Sequence, residues 1–135
     1  MIRVFLDANI LLSAAWREGS GIGALWEKDG VHLVTSWYAL TEAQRNIALK
    51  KPSASLRLTA LTSRVEVSTI TTKIHAILGL PDKDLPILEA AVSTQCSVLL
   101  TGDITHFGHL LGVEIEGVNV LTASMFLATD GIHST

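Results

Sequence analysis

A single cysteine, Cys96, stands among 135 residues. No internal disulfide can form, and a reducing cytosol is the expected setting. Positive charge is also scarce. Ten Lys and Arg face thirteen Asp and Glu, for a net charge of −3, so any nucleic-acid contact must be local rather than an overall basic footprint. No apolar run approaches the roughly 18 residues of a membrane span. Asp7 interrupts the opening apolar stretch, which argues against a secretory leader. There is no low-complexity stretch, no linker and no repeat, so a single domain over residues 1–135 is expected. What the chain has in excess is apolar character, with a hydrophobic share of 48% and a mean hydropathy of +0.41. With glycine counted in and tyrosine left out, the apolar share is about 55%, against roughly 45–50% in a typical soluble domain. The surplus is expected at a subunit or partner interface, and a homodimer would bury it.

Two hydrophobic periods alternate along the chain. Ile2 to Leu6 and Val31 to Thr35 read as short buried strands, with a helix near Gly23 to Lys28 between them. Ser36 is a good N-cap for a helix from Trp37 to about Leu49, whose Leu40, Ala43 and Ile47 share a face. Another helix is expected from Ala54 to Ser63, and Val65 to Thr69 is either a short edge strand or an extended segment. A short helix to Leu78 follows. After Gly79-Leu80-Pro81, a helix runs from Asp82 to about Gln95 and tolerates Pro86 only because it falls in the first turn. A strand at Ser97–Thr101, a short helix near Thr105–Leu111, a strand at Val118–Leu121 and a helix at Ala123–Thr129 complete the series. Short apolar strands alternating with helices imply a three-layer α/β/α sandwich around a mostly parallel sheet.

Four acids attract attention by position. Asp7 directly follows the first strand and Asp103 lies just past the Ser97–Thr101 strand. In an open parallel sheet, the binding crevice lies beyond the carboxyl ends of the strands, at the topological switch point. Asp84 begins a helix approached from the same edge, and Glu42 sits one and a half turns into the helix after Val31–Thr35. Each acid alone has an ordinary explanation as a helix cap, a turn residue or an exposed helix acid. Together they form an oxygen-rich site of the kind that suits Mg²⁺ or Mn²⁺, and without a cation at least one pKa should rise.

These segments resemble a known family. Phe5-Leu6-Asp7-Ala8-Asn9-Ile10-Leu11 looks like the opening motif of PIN domains, and Ser36-Trp37-Tyr38-Ala39-Leu40-Thr41-Glu42 resembles their second motif. Asp82-Lys83-Asp84-Leu85-Pro86-Ile87-Leu88-Glu89-Ala90-Ala91 is similar to the third, and Leu99-Leu100-Thr101-Gly102-Asp103 with His106-Phe107 to the fourth. Val118-Asn119-Val120-Leu121-Thr122, then Phe126-Leu127, resembles the closing strand and helix. The departures are Ala8, where threonine is usual, and Ala43, where a leucine often follows the acid.

The resemblance implies a five-stranded sheet of order 3-2-1-4-5 and a metal-dependent ribonuclease, cytoplasmic, with Mg²⁺ or Mn²⁺ as cofactor. It implies that Asp7, Glu42, Asp84 and Asp103 form the acidic quartet that binds metal and catalyses. Asn9 and Thr101 match the family's supporting polar positions, and Asp82 is expected to cap or to support the ligands from behind. Products would carry a 5′ phosphate and a 3′ hydroxyl. A stand-alone chain of this size would be the VapC-like toxin of a toxin–antitoxin pair, with an antitoxin partner that pushes a basic side chain toward the acids.

The segment from 43 to 73 carries six basic residues, Arg45, Lys50, Lys51, Arg57, Arg64 and Lys73, against one acid, Glu66. Arg45, Lys50, Lys51 and Arg57 are the candidates for contact with an RNA backbone, although a solvated helical face would look the same. His106 and His109 are expected to be orienting or surface residues, and Cys96 to be core. Trp16, Trp26 and Trp37 are expected to pack in the core or at an interface rather than stack on bases. A receiver-like fold would need a lysine after a late strand, and none follows Val98–Thr101 or Val118–Leu121. A phosphatase nucleophile of Asp-x-Asp form fails at Ala8-Asn9. The remaining rival is a PIN-like module that binds RNA or protein without cutting, and such a module would be expected to have lost one of the four acids.

Overall fold

The central strand sets the frame. Val4, Phe5 and Leu6 of β1 (Ile2–Leu6) are wholly buried, as expected for a strand covered on both faces. The structure, a computed structural model, describes residues 1–69 and 79–133, with side chains as far as residue 128. β1 pairs in parallel with β2 (Val31–Ser36) on one side, through Val4↔Leu33, and with β4 (Val98–Leu100) on the other, through Val4↔Val98. β3 (Glu66–Ser68) adds in parallel to β2, which settles the Val65–Thr69 segment as a short edge strand. β6 (Val118–Leu121) adds in parallel to β4, and a two-residue β5 (Glu114–Ile115) pairs antiparallel with β6. The order is β3-β2-β1-β4-β6-β5. The expected 3-2-1-4-5 ladder is therefore present, with β5 as an extra edge strand too short to show a period in sequence. Gly117, at φ +83°, lies in the tight turn that returns β5 to β6.

The chain runs outward from β1 to β3, then returns to the other side of β1 at β4. The reversal makes the β1–β4 boundary the switch point of the sheet. Right-handed crossovers place the helices that link β1, β2 and β3 on one face and the helix entering β4 on the other. The first group is α1 (Ala8–Trp16), α2 (Trp37–Lys50) and α3 (Ser55–Thr62), which pack on one another, and the second is α4 (Leu85–Ser93), which rests on β2 and β4. α5 (Ile104–Phe107) and α6 (Ala123–His133) follow β4 and β6.

Helix α1 is a difference from the sequence reading, which placed nothing between Leu6 and Gly23. Its Ile10, Leu11, Ala14 and Ala15 are buried at helical spacing, but Leu12 and Ala8 blur the apolar stripe, so the period is weak. The expected Gly23–Lys28 helix is a 3₁₀ helix at Gly21–Glu27. α2 starts as expected, with Ser36 Oγ accepting from the Ala39 amide. Pro86 falls in the first turn of α4. The short helix expected to end at Leu78 and the basic Lys73 lie outside the described residues. Among the described residues, no helix is long and apolar enough to cross a membrane.

Candidate active site

The carboxyl edge of the sheet at the switch point carries the acids. The Asp7 amide donates to Leu100 O at 3.0 Å, so the β1–β4 ladder runs one residue beyond β1. That bond pins Asp7 beside the end of β4, with its side chain 5% exposed. Asp7 accepts from the Ala8 amide at 2.6 Å and from the Thr101 hydroxyl at 2.8 Å. The same Thr101 oxygen accepts from the Asp103 amide at 3.0 Å. One wholly buried hydroxyl therefore sets both strand-terminal aspartates. Asn9 ties α1 to the same loop, since its Oδ1 accepts from the Gly102 amide at 2.8 Å. Thr101 and Asn9, the two polar residues expected to support the acids, both hydrogen-bond at this edge.

Asp7, Glu42, Asp84 and Asp103 all line one cavity of about 220 Å³. Glu42, Asn46 and Lys50 reach it as one stripe of α2, at i, i+4 and i+8, and Asn9, Lys83 and Leu12 complete much of its rim. Asp84 arrives at the start of α4, in a loop held from outside by the Tyr38 hydroxyl, which donates to Lys83 O at 2.7 Å. The same loop packs at Gly79, whose φ is +82° and where a Cβ would stand 2.9 Å from His109 Nε2.

Fields in the cavity have the sign that four acids require. Burial pushes the Asp7 carboxyl up to about 6, with Glu42 and Asp84 adding to the rise and the Thr101 and Ala8 donors opposing it. Burial also raises Asp84, against the opposing pull of His106 and Lys83. The Tyr38 phenol is raised by burial and by the negative charges of Glu42, Asp84 and Asp7.

His106, expected to be an orienting or surface residue, lies against two of the acids. Its Nδ1 lies 2.8 Å from Oδ2 of both Asp84 and Asp103. Neither contact is aligned as a hydrogen bond, and Asp84 Oδ2 and His106 Nδ1 are buried with no such partner. One donor atom each from Asp84, Asp103 and His106 lies within 4.8 Å of the other two. Asp103 and His106 are three residues apart in sequence. Asp103 caps α5, its Oδ1 accepting from the His106 amide at 3.0 Å, which folds the imidazole back over the cap. The contact with Asp84 spans two loops and needs the fold.

The basic candidates divide. Lys50 lines the acidic cavity and Arg45 lines the neighbouring groove. Lys51 and Arg57 instead donate to the carbonyls that end α1: Lys51 Nζ to Trp16 O, and Arg57 to Ala15 O at 2.7 Å and Trp16 O at 3.3 Å. Arg64 donates to Trp26 O. Lys83, which the sequence did not single out, stands on the cavity rim. Asp82 is exposed and outside the cavity lining, and the capping position of α4 belongs to Asp84. Among the tryptophans, Trp26 is buried, as expected. Trp16 is partly covered by Lys51. Trp37 is 56% exposed and therefore not in the core.

Over residues 3–105 the chain matches the family model of the PIN domain. It belongs to that family. Among the solved structures that share its fold are three VapBC or VapC structures. VapBC2 from Rickettsia felis, bound to a DNA fragment from its promoter, is 17% identical with a TM-score of 0.62, over 90% of this chain and 98% of that one. VapBC-1 from nontypeable Haemophilus influenzae is 15% identical with a TM-score of 0.57, over 91% and 99%. The sarcin-ricin-loop-cleaving toxin VapC20 of Mycobacterium tuberculosis is 15% identical with a TM-score of 0.54, over 78% and 95%. No curated protein sequence matches the chain significantly.

Proposed function

We propose that this PIN domain is a metal-dependent endoribonuclease and the toxin of a toxin–antitoxin pair. The observation that carries the reading is one cavity lined by Asp7, Glu42, Asp84 and Asp103, at the switch point of the sheet, in which burial first and neighbouring acids second push the Asp7 and Asp84 carboxyls up. The donor set fits a divalent cation. Asp84 Oδ2 and His106 Nδ1, 2.8 Å apart, converge with an Asp103 oxygen, so a divalent cation there would be met by two carboxylates and one imidazole.

Asp84, Asp103 and His106 would hold Mg²⁺ or Mn²⁺ most directly, with Asp7 and Glu42 completing the anionic wall. A cation bound there would lower the pKa of a water and neutralise charge on the scissile phosphate. The chain's own residues do the rest. Thr101 and Asn9 hold the carboxylates in place, and Lys50 and Lys83 on the rim attract the phosphate backbone that the acids alone would repel. The nitrogen donor of His106 favours Mn²⁺ more than an all-oxygen set would.

Solved VapBC structures and a VapC toxin of the same fold support an antitoxin partner here. A second cavity of about 630 Å³ between α1 and α6, lined by Leu12, Trp16, Ile22 and Leu127 among others, is apolar surface that a protein partner or a homodimer would bury. The deciding experiment is RNA cleavage after EDTA stripping, with Mg²⁺ or Mn²⁺ restored, for wild type and Asp103→Asn. Metal-dependent cleavage by wild type alone is the expected result. Equal activity in both, or full activity in EDTA, would end the proposal. Purified RNA bound with equal affinity but never cut would favour the non-catalytic module instead.

A further inference from the structure

A second recess shares a wall with the acidic cavity, and its lining differs in kind. It measures about 430 Å³ and is bounded by Trp37, Tyr38, Thr41, Glu42, Arg45 and Ser68 among others. Small-ligand clefts commonly span roughly 300–1,000 Å³. Helix α2 divides the two spaces by periodicity. Glu42, Asn46 and Lys50 face the acids, whereas Trp37, Thr41 and Arg45, also spaced at i, i+4 and i+8, face the groove. Glu42 belongs to both.

Trp37 and Tyr38 are exposed by 56% and 45%, an unusual placement for adjacent aromatics at the first turn of a helix. Their position is rigid rather than loose. Ser36 caps the helix beneath them, and the Tyr38 hydroxyl is bonded to Lys83 O on the loop that delivers Asp84. An exposed indole costs little side-chain entropy when it stacks, because it has two rotatable bonds and is already mounted on a capped helix. Arg45 supplies a positive charge at the far end of the same stripe.

We propose that this groove is a nucleotide subsite, in which one unpaired base of a single-stranded RNA stacks on Trp37 while Arg45 contacts its phosphate, and the next phosphodiester passes over Glu42 to the acidic cavity. The inference rests on the ribonuclease reading and adds a selection rule to it. An aromatic face beside a cationic side chain takes an unstacked base with an anionic backbone, as in single-strand binders generally. A duplex keeps its bases stacked on one another and cannot offer one to the indole. Trp37 is here a positioning residue and makes no contact with the reacting phosphate.

The test is binding of a short 5′-labelled oligoribonucleotide by fluorescence anisotropy in Ca²⁺, with gel analysis confirming that the RNA stays intact. Four proteins are compared: wild type, Trp37→Leu, Trp37→Phe and Arg45→Gln. Trp37→Leu should weaken binding about tenfold, Trp37→Phe should restore most of it, and an oligonucleotide of abasic residues should bind wild type and Trp37→Leu alike. Arg45→Gln should weaken both oligonucleotides and flatten the salt dependence. Trp37→Leu should cleave in Mg²⁺ with raised KM and nearly unchanged kcat. Because Trp37 is exposed, Trp37→Leu should fold normally, and an unchanged thermal midpoint checks this.

Equal binding by wild type and Trp37→Leu, or an equal loss on the abasic oligonucleotide, would overturn the subsite while leaving metal-dependent cleavage intact. Base-dependent binding that requires Trp37, without any cleavage, would keep the subsite and remove the nuclease reading. A shift from dimer to monomer in Trp37→Leu by sedimentation, with no change in RNA binding, would reassign the groove to contact between copies of the chain.

Discussion

Two carboxylates on the same sheet are driven in opposite directions. Glu66, at the start of β3, accepts a forked pair of bonds from Arg3 at 3.2 and 2.9 Å and a contact from His32 at 2.9 Å. The Arg3 guanidinium first, and the hydrogen-bonding His32 ring second, hold its carboxyl down at about 2. Asp7, at the end of β1, has only neutral donors, and burial lifts it to about 6. Arg3, His32 and Glu66 lie side by side across three parallel strands, an ion cluster whose charges are matched within the chain. The other cluster has an unmatched negative charge in a cavity. The fold neutralises Glu66 internally and leaves the other acids to their own repulsion, the charge that the proposed cation would relieve.

The linkage signs of the two groups differ. Glu66, with its depressed pKa, adds stability above the ordinary carboxylate range that is lost as pH falls toward 2. Asp7, with its raised pKa, is best accommodated protonated, so its contribution is greatest below about 4 and is lost as pH rises through about 6.

The largest expected effect breaks the unmatched cluster. Asp7→Asn should lower Mg²⁺-dependent RNA cleavage by more than about 100-fold. It should also abolish most of the rise in thermal midpoint that Mg²⁺ gives wild type at pH 7. A midpoint rise as large as that of wild type would show that Asp7 does not help hold the cation.

The second effect has the opposite sign and is read without metal. In EDTA at pH 7, Asp7→Asn should be more stable than wild type by about 1–2 kcal/mol. That is less than the roughly 3 kcal/mol implied by two pKa units, since the amide matches the hydrogen bonds of the carboxylate imperfectly. The gain should vanish near pH 4, as urea melts at the two pH values would report. Equal stability at both would contradict the raised Asp7 pKa.

Thr101→Val sharpens the same point. Losing the hydroxyl that serves Asp7 and the Asp103 amide should cost about 1 kcal/mol. The cost should be greater at pH 7 than at pH 4.5, because the charged carboxylate depends on the donor more than the protonated one does. A pH-independent loss would reduce Thr101 to a packing residue. Smallest is Glu66→Gln. Its matched cluster is 42% exposed on the Glu66 side, and solvent screening should hold the loss below about 1 kcal/mol and shrink it further in salt. Any change in the midpoint rise given by Mg²⁺ would link the two clusters and undo the contrast.

Much of the fold was legible before folding, for local reasons. β1, β2, β4 and β6 announce themselves by short apolar runs, and α2 and α4 by capping and by proline in the first turn. Helix α1 escaped because it is apolar on nearly every side, which removes the 3.6-residue contrast. β5 escaped because two residues carry no period. The strand-terminal acids Asp7 and Asp103 were visible because strand ends and switch points are properties of element order.

Sequence by itself determined the alternation of strands and helices, the placement of Asp7, Asp84 and Asp103 at the ends of elements, and the stripes of α2 that separate Asn46 from Thr41. These depend on backbone periods and near neighbours, which the order of residues specifies directly. Tertiary structure alone decided which charges stay available. Arg45, Lys50, Lys51 and Arg57, near one another in sequence, looked equivalent. Packing sent Lys51, Arg57 and Arg64 to backbone carbonyls on other elements and left Lys50 at the acidic cavity and Arg45 at the groove. It also carried His106 to Asp84 and turned Trp37 outward. Each of these outcomes turns on partners that are distant in sequence, or on which side of a helix the neighbouring layer covers. Both are set by the crossovers and by the close packing of α1, α2 and α3, not by any local period.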